Sequence, residues 1–178
     1  IHSVEGGLVF TNNEELFERL KFMRNFGHNG PENFYGIGIN GKNSEFHAAM
    51  GLCVLDDFEV VLQKRKDQSI FYQTLLKDLP LEYIEIQKDC YFNYAYFPII
   101  LPTEEHTLLV KNHLEENEIY PRRYFYPSLS SLNYVKKVNT PISDLQASRI
   151  LCLPLFFELE KSEQELVCRI IRKALNNG

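Results

Sequence analysis

The sequence predicts a mixed α/β chain in which a long helix joins two regions. Three observations carry this prediction. A short apolar run precedes a helical pattern near the N-terminus, an apolar helical pattern extends over residues 44–80, and strand-like and helical patterns alternate after it. We therefore expect a first region in 1–55, a connecting helix in 56–80, and a small α+β domain in 81–178.

The N-terminal region is predicted to hold one strand and one helix. Residues 8–10 read as a short buried strand entered through two glycines. Residues 11–13 offer a helix cap, and apolar residues at helical spacing then predict a helix to about Arg24. Residues 28–43 are rich in Gly and Asn and lack periodicity, so they are predicted to form a loop.

The long helical pattern begins at a cap residue, Ser44, and is interrupted near residues 56–59 before Pro80 ends it. Beyond Pro80 the predicted elements follow the local composition and spacing. In order they are a strand over 91–101, a helix over 103–116, a strand over 119–125, a loop over 126–142, a helix over 143–151, an extended piece over 153–155 and a closing helix that includes 166–175.

Composition narrows the classes of function. The chain has 178 residues and a net charge of −5 without a basic stripe, which argues against a nucleic-acid partner. No apolar stretch reaches the roughly 18 residues that a membrane span needs, and no signal peptide opens the chain. Four cysteines lack metal-ligand spacing, so we expect no metal site and reduced, buried thiols in a cytoplasmic protein: Cys53, Cys90, Cys152 and Cys168.

The most informative candidate for chemistry is the loop that contains Gly38, Asn40, Gly41 and Lys42 and leads into a helix of small residues. Glycines let backbone and a short amide side chain come close to a bound anion. The pattern therefore predicts an anion site around Asn40.

Weaker signals leave alternatives open. Arg122 and Arg123 lie beside Tyr124 and Tyr126, where a guanidinium could bind a phosphate, but a solvated turn explains the same residues. The five histidines show no metal-ligand spacing, so structural or surface roles are the simpler interpretation. No nucleophile with its general base can be assembled from the sequence.

Six stretches of the chain match, in order, the motifs of a known family: residues 5–12, 24–27, 38–42, 48–52, 124–129 and 151–155. Through them the chain resembles the C-terminal half of the DegT/DnrJ/EryC1/StrS family of sugar aminotransferases. The resemblance implies the C-terminal portion of a fold-type-I aminotransferase dependent on pyridoxal 5′-phosphate (PLP). Residues 1–55 would then end the large PLP-binding domain.

The resemblance also implies a reaction. The Schiff-base lysine is expected about two residues before Ile1, so the chain as given would contain no catalytic residue. It would be either a fragment or a sequence that begins after a modified lysine. L-Glutamate would donate an amino group to a nucleotide-linked keto-6-deoxyhexose. The version of the motif around Tyr126 is similar to the branch that acts on dTDP-linked sugars in deoxyamino-sugar and surface-glycan biosynthesis.

Particular residues match the family's site. Asn40 matches the Asn that reaches the PLP phosphate of the partner subunit, which implies a homodimer with shared active sites. Lys42 matches a basic position near cofactor or substrate phosphates. Where the family often has a His that contacts the sugar nucleotide, this chain has Ser130, so a different nucleotide-sugar geometry is expected. The predicted substrate-binding residues are Lys42, Arg122, Arg123, Tyr126 and Ser130.

Two other functions remain open at this point. Some family members carry His in place of the lysine and dehydrate the sugar instead. A truncated, non-catalytic binding module is the second alternative, and it should be monomeric without a partner fragment.

Overall fold

The computed structural model describes residues 3–177, so Ile1, next to which the lysine is expected, lies outside the described residues. The described residues form two compact units that meet in the sequence at Glu59 and Val60. The three-part division at 55 and 80 remains a prediction. Among the helices of residues 3–177, none is both long enough and apolar enough to cross a membrane.

The first unit contains α1 (Glu14–Met23) and α2 (Glu45–Asp56), and both helices begin at capped residues. The side chain of Asn13 accepts a hydrogen bond of 2.9 Å from the backbone N–H of Leu16. Ser44 caps α2 in the same way, through the N–H of His47. A side-chain acceptor at this position satisfies an otherwise unpaired N–H group, so both predicted helix starts are confirmed.

The long helical pattern forms two helices. After α2, Asp57 separates it from α3 (Phe58–Leu76), which confirms the predicted interruption. α3 ends four residues before Pro80, and residues 77–79 form turns.

The predicted strand at 8–10 is wrong. Val9 and Phe10 are 76% and 83% exposed, and residues 8–10 pair with no strand within the described part of the chain. A strand requires a neighbouring ladder of backbone donors and acceptors, and apolar composition alone does not supply one. In residues 3–59 no apolar side chain is buried.

The second unit surrounds a two-stranded antiparallel sheet with helices. β1 (Phe97–Ile100) pairs with β2 (Ile150–Leu153), and its first residue, Phe97, lies opposite Leu153. The helices are α4 (Glu104–Glu115), α5 (Pro141–Arg149) and α6 (Lys161–Asn177), and α4 packs against both α5 and α6. Completely buried core side chains come from α3, α4, α6 and the two strands with the residue that follows β1: Tyr72, Leu76, Ile99, Leu101, Val110, Leu114, Leu151 and Ile171.

The strand predicted over 91–101 is shorter in the structure, because residues 91–96 form no ladder. The Asn93 side chain accepts a 3.0 Å hydrogen bond from the N–H of Ala95, and Tyr94 has a left-handed φ of 47°. Such a local side-chain turn competes with strand pairing. Only the end of the predicted segment, β1, extends along β2.

Three further predicted elements differ from the structure in their length or position. The strand over 119–125 reduces to one bridge between Arg122 and Cys152, since Pro121 lacks an N–H for a ladder. α5 begins at Pro141 rather than residue 143, because proline fits the first turn of a helix. The extended piece expected at 153–155 is β2, three residues earlier.

Cysteine burial follows the prediction for two of the four residues. Burial raises the pKa of Cys152 to about 11 and that of Cys168 to about 12, so both thiols stay protonated at neutral pH. Cys53 and Cys90 are exposed, contrary to the prediction, and all four cysteines are free thiols.

We expect Leu151→Ala to lower the free energy of unfolding of the full chain by about 2–5 kcal/mol, because Leu151 is completely buried and truncation leaves a cavity. Urea titration followed by circular dichroism measures the change. Leu129→Ala is the matched control, since Leu129 is 71% exposed and should change the value by less than about 0.5 kcal/mol. Equal losses in the two variants would contradict the assigned core.

Candidate functional site

The loop between α1 and α2 is closed by backbone hydrogen bonds between its two arms. The N–H of Phe26 donates to the carbonyl of Ile39 at 2.9 Å, and the N–H of Ile39 donates to the carbonyl of Met23 at 2.8 Å. The N–H of Gly41 donates to the carbonyl of Arg24, also at 2.8 Å. Asn40 therefore lies between two anchored residues, on a backbone whose path is fixed on both sides.

Two glycines permit this close approach of the arms. A Cβ added at Gly38 would lie 2.1 Å from the backbone nitrogen of Gly27 and 2.6 Å from the carbonyl oxygen of Met23. Gly27 has a φ of +78°, and a Cβ there would lie 1.9 Å from the carbonyl oxygen of Gly36. Neither position accommodates a side chain, so the glycine-rich pattern has a steric cause.

Asn40 and Lys42 are exposed and in direct contact. The Lys42 Nζ donates a 2.7 Å hydrogen bond to Asn40 Oδ1 and lies 4.2 Å from the centre of the Phe26 ring. Within residues 3–177 the Asn40 Nδ2 group has no hydrogen-bond partner. An uncommitted amide donor beside an ammonium group fits an anionic ligand such as a phosphate.

The start of the chain lies close to the end of this loop. Gly6 packs so closely that a Cβ would lie 3.0 Å from Asn43 Oδ1. Asn43 also lines a mostly apolar cavity of about 450 Å³, together with Gly7, His47 and Gly51. The turn that follows the expected lysine position is thus a neighbour of the Asn40 loop.

In the second unit, Arg123 is already engaged within its own chain. Its Nη2 donates to Glu104 Oε1 at 2.7 Å and to the carbonyl of Ser148 at 3.0 Å. The guanidinium carbon lies 3.4 Å from the centre of the Tyr126 ring. The hydrogen bond from Arg123 is the main cause that holds the pKa of Glu104 below its usual value.

Arg122 is positioned by its backbone and has an exposed side chain. It exchanges two backbone hydrogen bonds with Cys152, of 3.0 and 2.8 Å. The structure therefore brings Arg123 and Tyr126 into contact and leaves the Arg122 guanidinium open to solvent. The substrate-binding roles of all three stay predictions.

Ser130 belongs to a hydroxyl network that the sequence did not reveal. Its Oγ donates to Asp144 Oδ1 at 2.7 Å and accepts a 2.6 Å hydrogen bond from Thr140 Oγ1. The neighbouring hydroxyls of Ser128, then Ser130 and Thr140, lower the pKa of Asp144. The feature of the sequence that could have indicated this network is an Asp in the first turn of a predicted helix, after a loop rich in hydroxyl side chains.

This network borders a second cavity, of about 340 Å³, which has an aromatic wall. Tyr124 stacks on Phe125 with ring centres 3.8 Å apart, and both line the cavity. The ring centre of Tyr96 lies 5.1 Å from that of Tyr124, and the neighbouring Tyr124 hydroxyl raises the pKa of Tyr96. Sequence reasoning did not identify Tyr96, because it is brought to Tyr124 by the fold.

Comparison with known protein families identifies the family to which this chain and its candidate site residues belong. The profile of the DegT/DnrJ/EryC1/StrS aminotransferase family matches residues 1–172. The chain belongs to this family. Family members depend on PLP, and the predicted α/β class with the C-terminal portion of an aminotransferase is confirmed.

Relatives within the DegT/DnrJ/EryC1/StrS family cover almost the whole chain. It is 34% identical to a dTDP-4-amino-4,6-dideoxy-D-glucose transaminase from Shigella dysenteriae, over 95% of the chain and 48% of that protein. A transaminase of the same name from Escherichia coli is 32% identical over 96% of the chain and 48% of the relative. The chain spans about half the length of the curated relatives it matches.

A solved family structure agrees with the fold. The structure of DesI in the presence of its TDP-sugar product superimposes with a TM-score of 0.81 at 27% identity, covering 94% of this chain and 45% of DesI. The described elements therefore share the fold of the matched part of DesI.

We expect Gly38→Ala to destabilise the loop by about 1–3 kcal/mol, since the new methyl group would overlap backbone atoms. The free energy of unfolding and the rate of proteolysis within residues 24–43 measure the effect. Gly36→Ala is the control, because a Cβ at Gly36 meets nothing within 4 Å. A tolerated Gly38→Ala would contradict the close approach of the two arms.

Acid should weaken the contribution of the Glu104–Arg123 pair to stability. Folding lowers the pKa of Glu104, so its contribution is fully present above the usual value of 4.5 and declines as pH falls through the lower folded value. Urea midpoints of Glu104→Gln and wild type should therefore differ at neutral pH and converge below pH 4.5. Glu105→Gln, which removes a neighbouring exposed charge, should show no such convergence. A difference in urea midpoint between Glu104→Gln and wild type that stays constant across pH would contradict this assignment.

Proposed function

We propose that the protein is a PLP-dependent aminotransferase that transfers the amino group of L-glutamate to a dTDP-linked 4-keto-6-deoxyhexose. The observation that carries the proposal is the match to two dTDP-4-amino-4,6-dideoxy-D-glucose transaminases over 95% and 96% of the chain. In the overall exchange, the keto oxygen of the sugar is replaced by an amine and L-glutamate becomes its keto acid. The product would enter surface-glycan (O-antigen) biosynthesis in the cytoplasm.

Asn40 is proposed to hold the cofactor phosphate. Its Nδ2 group, which has no hydrogen-bond partner within residues 3–177, would donate to an anion from a loop fixed by backbone contacts, while Lys42 Nζ binds Oδ1 of the same amide. The cofactor, when bound, supplies the electron sink that lets an amino group move between two carbon atoms. We place this phosphate in the partner subunit, so the active enzyme would be a homodimer with shared sites. The lysine that binds the cofactor would lie just before Ile1.

The second unit is proposed to bind the sugar nucleotide. The exposed Arg122 guanidinium is available for a phosphate of the nucleotide. Arg123 is proposed to have a different task, because its Nη2 group is bound within the chain: it holds the Tyr126 ring against which substrate would pack. Ser130 would offer its hydroxyl network where many relatives use a histidine.

The complete protein, incubated with PLP, L-glutamate and the dTDP-linked 4-keto-6-deoxyhexose, tests the function. The expected product is the dTDP-linked amino sugar, identified by mass spectrometry, and intact mass after borohydride reduction should show one covalently retained cofactor. A deoxygenated product without nitrogen would replace the proposal with the dehydratase. Failure to retain cofactor, in a protein of 20.9 kDa, would replace it with a non-catalytic module.

Asn40→Ala in the complete enzyme should weaken PLP affinity about 10- to 100-fold, since a hydrogen bond to a charged group contributes about 1.5–3 kcal/mol. Absorbance titration with PLP gives the affinity. Asn33→Ala removes an exposed amide from the tip of the same loop and should leave it unchanged. Pyridoxal, which lacks the phosphate, should bind wild type and Asn40→Ala equally. Equal PLP affinity of wild type and Asn40→Ala would overturn the phosphate assignment.

A further inference from the structure

The contact between Lys42 and Asn40 constrains which way the Asn40 amide faces. An ammonium group has three N–H donors and no acceptor, so only the oxygen of a neighbouring amide can satisfy it. The Asn40 atom that lies 2.7 Å from Lys42 Nζ is therefore Oδ1. The Nδ2 group consequently points away from Lys42.

Lys42 is itself held in place. Its Nζ lies 4.2 Å from the centre of the Phe26 ring, within the range of a cation–π attraction. Phe26 has a left-handed φ of 58°, and its N–H is bound to the carbonyl of Ile39, next to Asn40. One backbone contact thus fixes both the ring that holds Lys42 and the residue that Lys42 orients.

Orientation matters for an anion because the two ends of an amide have opposite effects. Nδ2 donates to a phosphate oxygen, whereas Oδ1 would repel it. An exposed asparagine without a partner samples both orientations, and selecting one of them in advance lowers the cost of binding. A lysine at this position is thus useful without touching the anion.

We propose that Lys42 is a positioning residue, which locks the Asn40 amide with its donors toward the cofactor phosphate. Phe26 holds the Lys42 ammonium in the place from which it does so. This inference rests on the proposed function for the identity of the anion. It assigns Lys42 to the orientation of Asn40 rather than to direct contact with cofactor or substrate.

The first test examines the amide directly, without cofactor, in the full chain. Nitrogen–proton correlation NMR resolves the side-chain amide of Asn40, which is assigned by its loss in Asn40→Ala. Lys42→Met should shift this signal and reduce the chemical-shift difference between its two amide protons, because the hydrogen bond to Oδ1 is lost. Lys42→Arg should retain the wild-type pattern, since a guanidinium also donates to Oδ1 and stacks on Phe26. An Asn40 signal unchanged in Lys42→Met would overturn the proposal.

The second test measures affinity for PLP in the complete enzyme. Lys42→Met should weaken PLP binding about three- to tenfold, in keeping with one oriented hydrogen bond, and Lys42→Arg should restore it. Lys21→Met removes one exposed charge from the same unit and should have no effect. Pyridoxal affinity should be the same in all of these variants. Undiminished PLP affinity in Lys42→Met would contradict the positioning role.

A double-mutant cycle separates orientation from direct contact. If Lys42 acts through Asn40, adding Lys42→Met to Asn40→Ala should weaken PLP binding no further. A further loss of the same size would make Lys42 a direct phosphate ligand and refute the inference, while leaving the proposed function intact. An Asn40→Ala variant with full PLP affinity would instead refute the phosphate site itself, whatever the NMR signal of Asn40 reports about Lys42.

Discussion

The candidate phosphate site depends on the contact between two backbone segments, at Gly27 and Gly38. No side chain fits between the arms, and the hydrogen bonds that join them flank Asn40 on both sides. The position of an exposed, short side chain is thereby fixed by rigid backbone rather than by a packed core. This is a suitable way to present a donor to an anion, because nothing bulky stands between the loop and its ligand.

Two features stabilise the second unit: a core of buried apolar side chains, and polar side chains that form hydrogen bonds near the ends of its short sheet. Arg149 follows this pattern: its Nε donates to the carbonyl of Leu101 at 2.6 Å and its Nη2 pairs with Glu82 at 2.7 Å. Arg123 does the same on the neighbouring surface, through Glu104 and Ser148. Arg149 thus satisfies a backbone carbonyl next to the end of β1, and Arg123 satisfies one in the last turn of α5. Arg123 therefore connects the stability of this unit with the placement of Tyr126.

Local signals in the sequence were sufficient to place the starts of three helices. Asn13, Ser44 and Thr103 each cap the helix that their position predicts, because capping involves only neighbouring residues. The strands were predicted less well, since pairing joins segments far apart in the chain: β1 and β2 are separated by 49 residues. Apolar residues 8–10 show the limit, having strand composition without a partner strand.

The same distinction applies to the sites. The motif around Asn40 was recognisable because its residues are consecutive, and the resemblance to the family is confirmed. The contact between Lys42 and Phe26 and the network that joins Ser130 to Asp144 arise from folding of the loops. Arg123 illustrates another limit, since its sequence neighbourhood did not reveal that its Nη2 group is bound to Glu104 and Ser148.

The uneven distribution of buried apolar side chains also bears on the order in which the chain acquires its structure during synthesis. Residues 60–177 contain a core of their own, whereas residues 3–59 bury no apolar side chain. Burial supplies most of the favourable free energy of folding, and domains fold as units when the ribosome releases them. The segment of residues 3–59, which leaves the ribosome before residues 60–177, thus gains little from collapsing on itself. Until other surfaces cover Phe46 and Leu52, it is the part of the chain that chaperones would bind.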